Sequence, residues 1–120
     1  MQAESRNPLV RYMHWLHTRW PAGTVERLPE IRSDFSTRVP GVYIVGDLTG
    51  IPLLKFSADS GARAVEAIAA DAGFQAARKS RPSEVHELVI VGAGVAGMAA
   101  ALQAKKLGLD YVIVEATQVF

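Results

Sequence analysis

Gly92-Ala93-Gly94-Val95-Ala96-Gly97 follows a G-x-G-x-x-G spacing, and Glu115 stands eighteen residues beyond its last glycine. Glycine and alanine are common, so the string alone says little. Its surroundings say more: the loop follows a predicted strand and opens a predicted helix, and the acid ends the next strand near the spacing of about 20 residues expected of dinucleotide sites. Each position then has a physical task. Gly92 permits a tight turn, Gly94 lets the backbone approach a diphosphate, and Gly97 lets the helix settle against the strand. Unpaired amides at the helix start, aligned with the helix dipole, would face the diphosphate. Glu115, followed by Ala116, is placed to accept hydrogen bonds from both hydroxyls of an adenosine ribose, which implies a free 2′-hydroxyl. A plainer reading leaves the glycines to strand–helix packing and Glu115 to solvent. The agreement of strand, loop, helix, strand and acid favours the dinucleotide. The fingerprint does not separate FAD from NAD.

The elements that must position this loop set the fold class. The chain has 120 residues, 49% hydrophobic and 21% charged, which suits one modest domain. From residue 41 onward, β-branched runs alternate with alanine-rich ones. Residues 42–45 read as a buried strand, 58–70 as a helix with Ala58, Ala62, Val65 and Ala69 on one face, and 87–91 as a second strand. A helix at 95–107, closed by Gly108, and a third strand at 111–114 complete the pattern. The expected fold is α/β, a Rossmann-like β-α-β-α-β parallel sheet over 41–120, with residues 74–86 as a solvated linker and Gly73 closing the helix before it. Five of the six prolines lie in the first 52 residues, and 1–40 reads as an irregular N-terminal extension. Within it, 8–17 is predicted as a short helix carrying Leu9, Met13, Leu16 and Trp20, ended by Pro21 and Gly23. Residues 24–28 and 31–37 read as short strands or extended loop.

Thirteen Lys+Arg against twelve Asp+Glu give a net charge of +1, too little to favour nucleic acid or an anionic membrane. Cysteine is absent, which excludes a disulfide framework, thiolate metal sites and a dithiol redox centre within this chain. The longest uncharged stretch, 88–104, contains three glycines and is shorter than the roughly 20 apolar residues that span a bilayer. Glu4 and Arg6 come too early for a signal peptide. A soluble, cytoplasmic protein is the expectation.

A second motif resembles a known family. Ser36-Thr-Arg-Val-Pro-Gly-Val-Tyr-Ile-Val-Gly-Asp47, continued by Leu48-Thr-Gly50, is similar to the segment near the C-terminal end of thioredoxin reductase-like flavoproteins, the pyridine nucleotide-disulfide oxidoreductase superfamily. Leu88-Val-Ile-Val-Gly-Ala-Gly-Val-Ala-Gly97 with Tyr-Val-Ile-Val-Glu115 resembles the start of the same FAD domain. The resemblance implies FAD as cofactor and NAD(P)H as electron donor to the complete protein. It implies that Gly46 and Asp47 reach the ribityl chain, and that Leu54, Lys55 and Phe56 lie where a loop meets the flavin. Lys55 is then either a cation near the flavin N1 and O2, favouring the anionic reduced form, or an ordinary exposed lysine.

Family members place the glycine loop first and the Gly-Asp segment last, whereas here the order is reversed. The topology tolerates this, because a right-handed crossover through the 58–70 helix could join the two strands as neighbours. The expected sheet order is first, second, third strand, with both helices on one face and Asp47, the glycine loop and Glu115 along one crevice at the strands' carboxyl ends. The other face needs a cover: residues 1–40, a second copy, or the remainder of a larger flavoprotein.

The chain shows no second glycine fingerprint and no Cys-x-x-Cys. His14, His17 and His86 bring no carboxylate or cysteine that completes a metal set, and no metal is expected. Trp15 and Trp20 beside Arg11 and Arg19 could stack a ring but more simply cover a small core. Ser57, Asp59 and Ser60 lack the base that a nucleophile needs. The leading expectation is therefore an FAD-binding domain or fragment of a flavin-dependent oxidoreductase, without a catalytic residue of its own. Alternatives are a noncatalytic nucleotide-binding or interaction module, and an NAD-binding module without flavin.

Overall fold

The computed structural model describes residues 8–18 and 27–118. The elements run α1 (Pro8–Thr18), a 3-10 turn (Gly46–Thr49), α2 (Leu54–Ala70), α3 (Ala72–Ser80), β1 (Leu88–Val91), α4 (Val95–Lys106) and β2 (Tyr111–Val114). β1 and β2 pair in parallel, Leu88 opposite Tyr111 and Val91 opposite Val114. A continuous apolar strand, a glycine turn and an alanine-rich helix thus form one parallel β-α-β unit.

The core lies between the sheet and two helices, where Val65 of α2 meets Ile90 of β1, Ala100, Ala101 and Ala104 of α4, and Leu109. α4 buries a stripe of small residues, Gly97, Ala100, Ala101 and Ala104, which lets α2 approach its backbone closely. A Cβ on Gly61 of α2 would collide with the carbonyl oxygen of Ala96. α4 packs directly on the two strands, and α2 packs on α4, reaching the shared core through Val65. The opposite face is bare: Val89 is 57% and Val91 84% exposed.

The third strand of the expected sheet does not form. Residues 42–45 run without regular structure apart from a single antiparallel bridge between Tyr43 and Ser36. Their hydrogen-bonding groups are engaged elsewhere: Ile44 N–H donates to Phe35 O (3.0 Å), Thr37 N–H donates to Val42 O (3.0 Å), and Val42 N–H donates to Val39 O (3.1 Å). Folding back on 35–39 uses the bonds that parallel pairing with β1 would need. The segment is half-exposed rather than buried.

Two further boundaries differ from expectation. α2 begins at Leu54 rather than 58, so its buried stripe is Ser57, Ser60, Gly61, Ala64, Val65 and Ile68; Ala58, Ala62 and Ala69 stand at its margin, partly exposed. The linker at 74–86 is helical in its first half, because the Asp71 carboxylate accepts Phe74 N–H (2.7 Å) and restarts the chain as α3. Gly73 thus lies inside a first turn. α3 is tied to the sheet by Glu87, whose side chain is 4% exposed. Its Oε1 accepts Arg78 Nε–H at 2.5 Å and its Oε2 accepts Asp110 N–H at 2.7 Å. Arg81 bridges the same site to Asp110 (3.1 Å).

α1 forms as predicted, with Tyr12 and Trp15 stacked 6.0 Å apart, and it packs against none of the other described helices or strands. Trp20, Pro21, Gly23 and residues 24–26, with the side chains of His14 and His17, fall outside the described residues. No helix among the described residues is long and apolar enough to cross a membrane.

Candidate functional site

The two motifs meet. A Cβ on Gly46 would lie 2.9 Å from the Ala96 side chain, so the turn that carries Asp47 sits against the first turn of α4. Gly46 itself has φ +75°, a left-handed conformation natural to glycine, and this aims the chain into the 3-10 turn that presents Asp47. A single cleft of about 690 Å³ is lined by residues from both motifs, among them Gly46, Asp47, Gly92, Gly94, Val95 and Gly97. That volume lies in the range of about 300–1,000 Å³ usual for small-molecule sites. Its inner wall is apolar, residues 42–45 facing β1, and its mouth is backbone and carboxylate.

The glycine loop has the geometry its sequence dictates. Gly92 has φ +99°, the turn that redirects β1 into α4. A Cβ on Gly94 would meet nothing within 4 Å, so the backbone there is open to approach. A Cβ on Gly97 would collide with Gly92 O and sit 3.4 Å from Ile90, which fixes helix against strand. The first helical bond of α4 runs from Met98 N–H to Gly94 O (2.9 Å), leaving the amides of Val95, Ala96 and Gly97 without intrahelical acceptors. Together these features leave open backbone and three free donors at a helix N-terminus, a setting in which an anion is favoured.

Glu115 reaches the same loop from the end of β2. Its Oε2 accepts Ala93 N–H at 2.7 Å, and its Oε1 accepts Ala116 N–H at 2.7 Å and Thr117 N–H at 3.1 Å. These backbone donors, Ala93 first, hold its carboxyl below the ordinary range. Glu115 thus buttresses the loop; Oε1 is filled by two amides, and Oε2 keeps lone-pair capacity for a further donor. It does not line the main cleft.

Of the other expected residues, Leu54 lines the cleft while Lys55 and Phe56 do not. They belong to the first turn of α2 instead of a loop. Ser57 and Ser60, which lack the base that a nucleophile needs, have a different place in the site. Their side chains are buried at 4% and 1%, Ser57 Oγ–H donates to Asp47 Oδ1 (2.9 Å) and Gly46 N–H donates to Ser60 Oγ (3.0 Å). Their spacing with Gly61, Ala64, Val65 and Ile68 was the available signal, since it places both hydroxyls on the buried stripe. Among the described residues no group of three or more His, Cys, Asp or Glu side chains could hold a metal.

A family of FAD-binding domains matches residues 87–120, the segment that holds β1, the glycine loop, α4, β2 and Glu115. The match to an FAD-binding family over this segment indicates FAD as the cofactor. The open backbone at Gly94 and the unpaired amides that follow it suit such a group. In particular, the chain is similar to thioredoxin reductase from Ureaplasma parvum serovar 3 (strain ATCC 700970), 62% identical over 32 residues. The match covers 27% of this chain and 10% of that protein, so the chain spans a small part of the length of the relative it matches. No solved structure matches it.

Proposed function

We propose that the chain is the dinucleotide-holding part of an NAD(P)H-dependent flavin oxidoreductase. The observation that carries this is the convergence of the Gly46-Asp47 turn and the Gly92–Gly97 loop on one cleft at the start of α4. Bound FAD would supply two-electron chemistry; the residues of this chain bind and orient it. Amides of Val95, Ala96 and Gly97, with the open backbone of Gly94, hold the diphosphate. Glu115 takes the adenosine ribose hydroxyls, and Ala116 flanks them. Asp47 takes ribityl hydroxyls, and Leu54, which lines the cleft at the head of α2, stands toward the flavin.

The bare sheet face supports the view that these residues work within a larger flavoprotein, whose remaining chain covers Val89 and Val91 and brings the nicotinamide site. Titration of the purified chain with FAD tests the cofactor reading: a bound, yellow species with a perturbed visible spectrum is expected. Binding of NAD with no uptake of FAD would overturn it. Asp47→Ala should weaken FAD roughly tenfold, as loss of a charge-assisted contact does, and leave NAD untouched.

A second reading, a noncatalytic nucleotide-binding module, is favoured by one observation. Among the described residues Asp47 is the one carboxylate lining the cleft, and no acid–base pair accompanies it there. Flavin that stays yellow when NADH or NADPH is added to the complete protein would select this reading.

A further inference from the structure

We propose that Ser57 and Ser60 are positioning residues for the flavin-side half of the cofactor, acting through Asp47 and Gly46; the inference rests on the assignment of Asp47 to the ribityl chain. Both hydroxyls lie on the stripe of α2 that is otherwise built of Gly61, Ala64, Val65 and Ile68. Burying a hydroxyl there is unfavourable unless it is hydrogen-bonded, and alanine would pack the same space with no polar group to satisfy. Each hydroxyl is instead hydrogen-bonded. Ser60 Oγ–H donates to Ser57 O (2.8 Å) and its oxygen accepts Gly46 N–H (3.0 Å). Ser57 Oγ–H donates to Asp47 Oδ1 (2.9 Å).

One serine thus grips the backbone of the turn and the next grips its carboxylate. Thr49 Oγ–H closes the same turn on Gly46 O (2.7 Å). The consequence is directional. With Oδ1 engaged by Ser57, the exposed carboxylate keeps one orientation, and Oδ2, which accepts no bond from the described residues, is held available to ligand hydroxyls. A carboxylate fixed in advance loses less rotamer freedom on binding than one free to rotate. Nothing in this arrangement touches the glycine loop's amides or Glu115, which serve the adenosine diphosphate half.

That division makes the proposal testable with two probes, FAD and ADP, titrated against the full chain and its variants. Ser57→Ala is expected to weaken FAD about five- to tenfold, the loss of one hydrogen bond to a charged group, and to leave ADP within about twofold. In an Asp47→Ala background the same change should have no further effect on FAD. The proposal is overturned if Ser57→Ala binds FAD as wild type does, if it weakens ADP as much as FAD, or if its effect adds in full to that of Asp47→Ala. Wild-type chain that binds ADP but not FAD would instead defeat the underlying assignment of Asp47, a result distinct from the other three.

Discussion

Two acids at opposite ends of the sheet are held charged by the backbone more than by ion pairs. For Glu115 the Ala93 amide is the largest influence, and for Glu87 it is the Asp110 amide, with Arg78 adding to it. Both carboxyls lie below their ordinary value, so each stabilises the fold above the unfolded-state carboxylate pKa of about 4.3 and ceases to do so as pH falls through the lower folded value. On the proposed assignment of Glu115 to the ribose, the effect falls on the ligand site. ADP affinity, followed by calorimetry, is expected to stay level from pH 7 down to the ordinary glutamate pKa of about 4.3 and to drop only below it, as the buttress on Ala93 is protonated. Glu115→Gln should remove that drop while lowering affinity at neutral pH. A drop that persists in the glutamine variant would place the titrating group elsewhere.

α2 and α4 are the elements that bring the two motifs together, and their closeness depends on Gly61. Adding a methyl group there forces the helices apart at Ala96 O, so Gly61→Ala should lower stability by about 1–3 kcal/mol, the usual range for overpacking. Because Gly46 leans on the same Ala96, the variant should also weaken FAD more than ADP. Chemical denaturation and the two titrations read these effects. α3 rests on a different support. Arg78→Ala removes the bond to Glu87 and the one from Arg78 to Gly108 O (2.9 Å); with Arg78 itself about one-third exposed, a loss of about 2 kcal/mol is expected. The sequence made β1, the glycine loop, α4 and β2 legible because apolar period, glycine spacing and terminal acid all agree within 30 residues or so. The start of α2 was less legible, because Leu54–Ser57 precede the alanine-rich run that marks the helix. Choosing Ala58, Ala62, Val65 and Ala69 as the inner face also hid Ser57 and Ser60, since the buried stripe is centred on Gly61 and Ala64.

For the whole molecule, the missing third strand shows what local pattern cannot decide. Residues 42–45 are apolar and β-branched enough for a strand beside β1, yet the competing partner is only a few residues away at 35–39, and closing a short loop costs less entropy than crossing through α2. Phe35 secures that choice: it is buried in a left-handed conformation (φ 68°), under the Arg63 guanidinium 5.7 Å from its ring. The convergence of Gly46-Asp47 on the glycine loop survived because it depends on α2 packing against α4, not on strand pairing. The bare face has a further consequence, for colloidal behaviour. Leu88–Val91 and Tyr111–Val114 are uncharged β-branched strands with open edges, the kind of segment that joins copies of itself. Charged residues stand guard at their ends: Glu87 before the first strand, Asp110 before the second and Glu115 after it. Acidification that protonates Glu87 and Glu115, whose carboxyls lie below the ordinary glutamate range, should turn the chain toward ordered self-association, visible as light scattering that rises as pH falls below that range. The carboxylates that anchor the fold at neutral pH are thus also what keeps its copies apart.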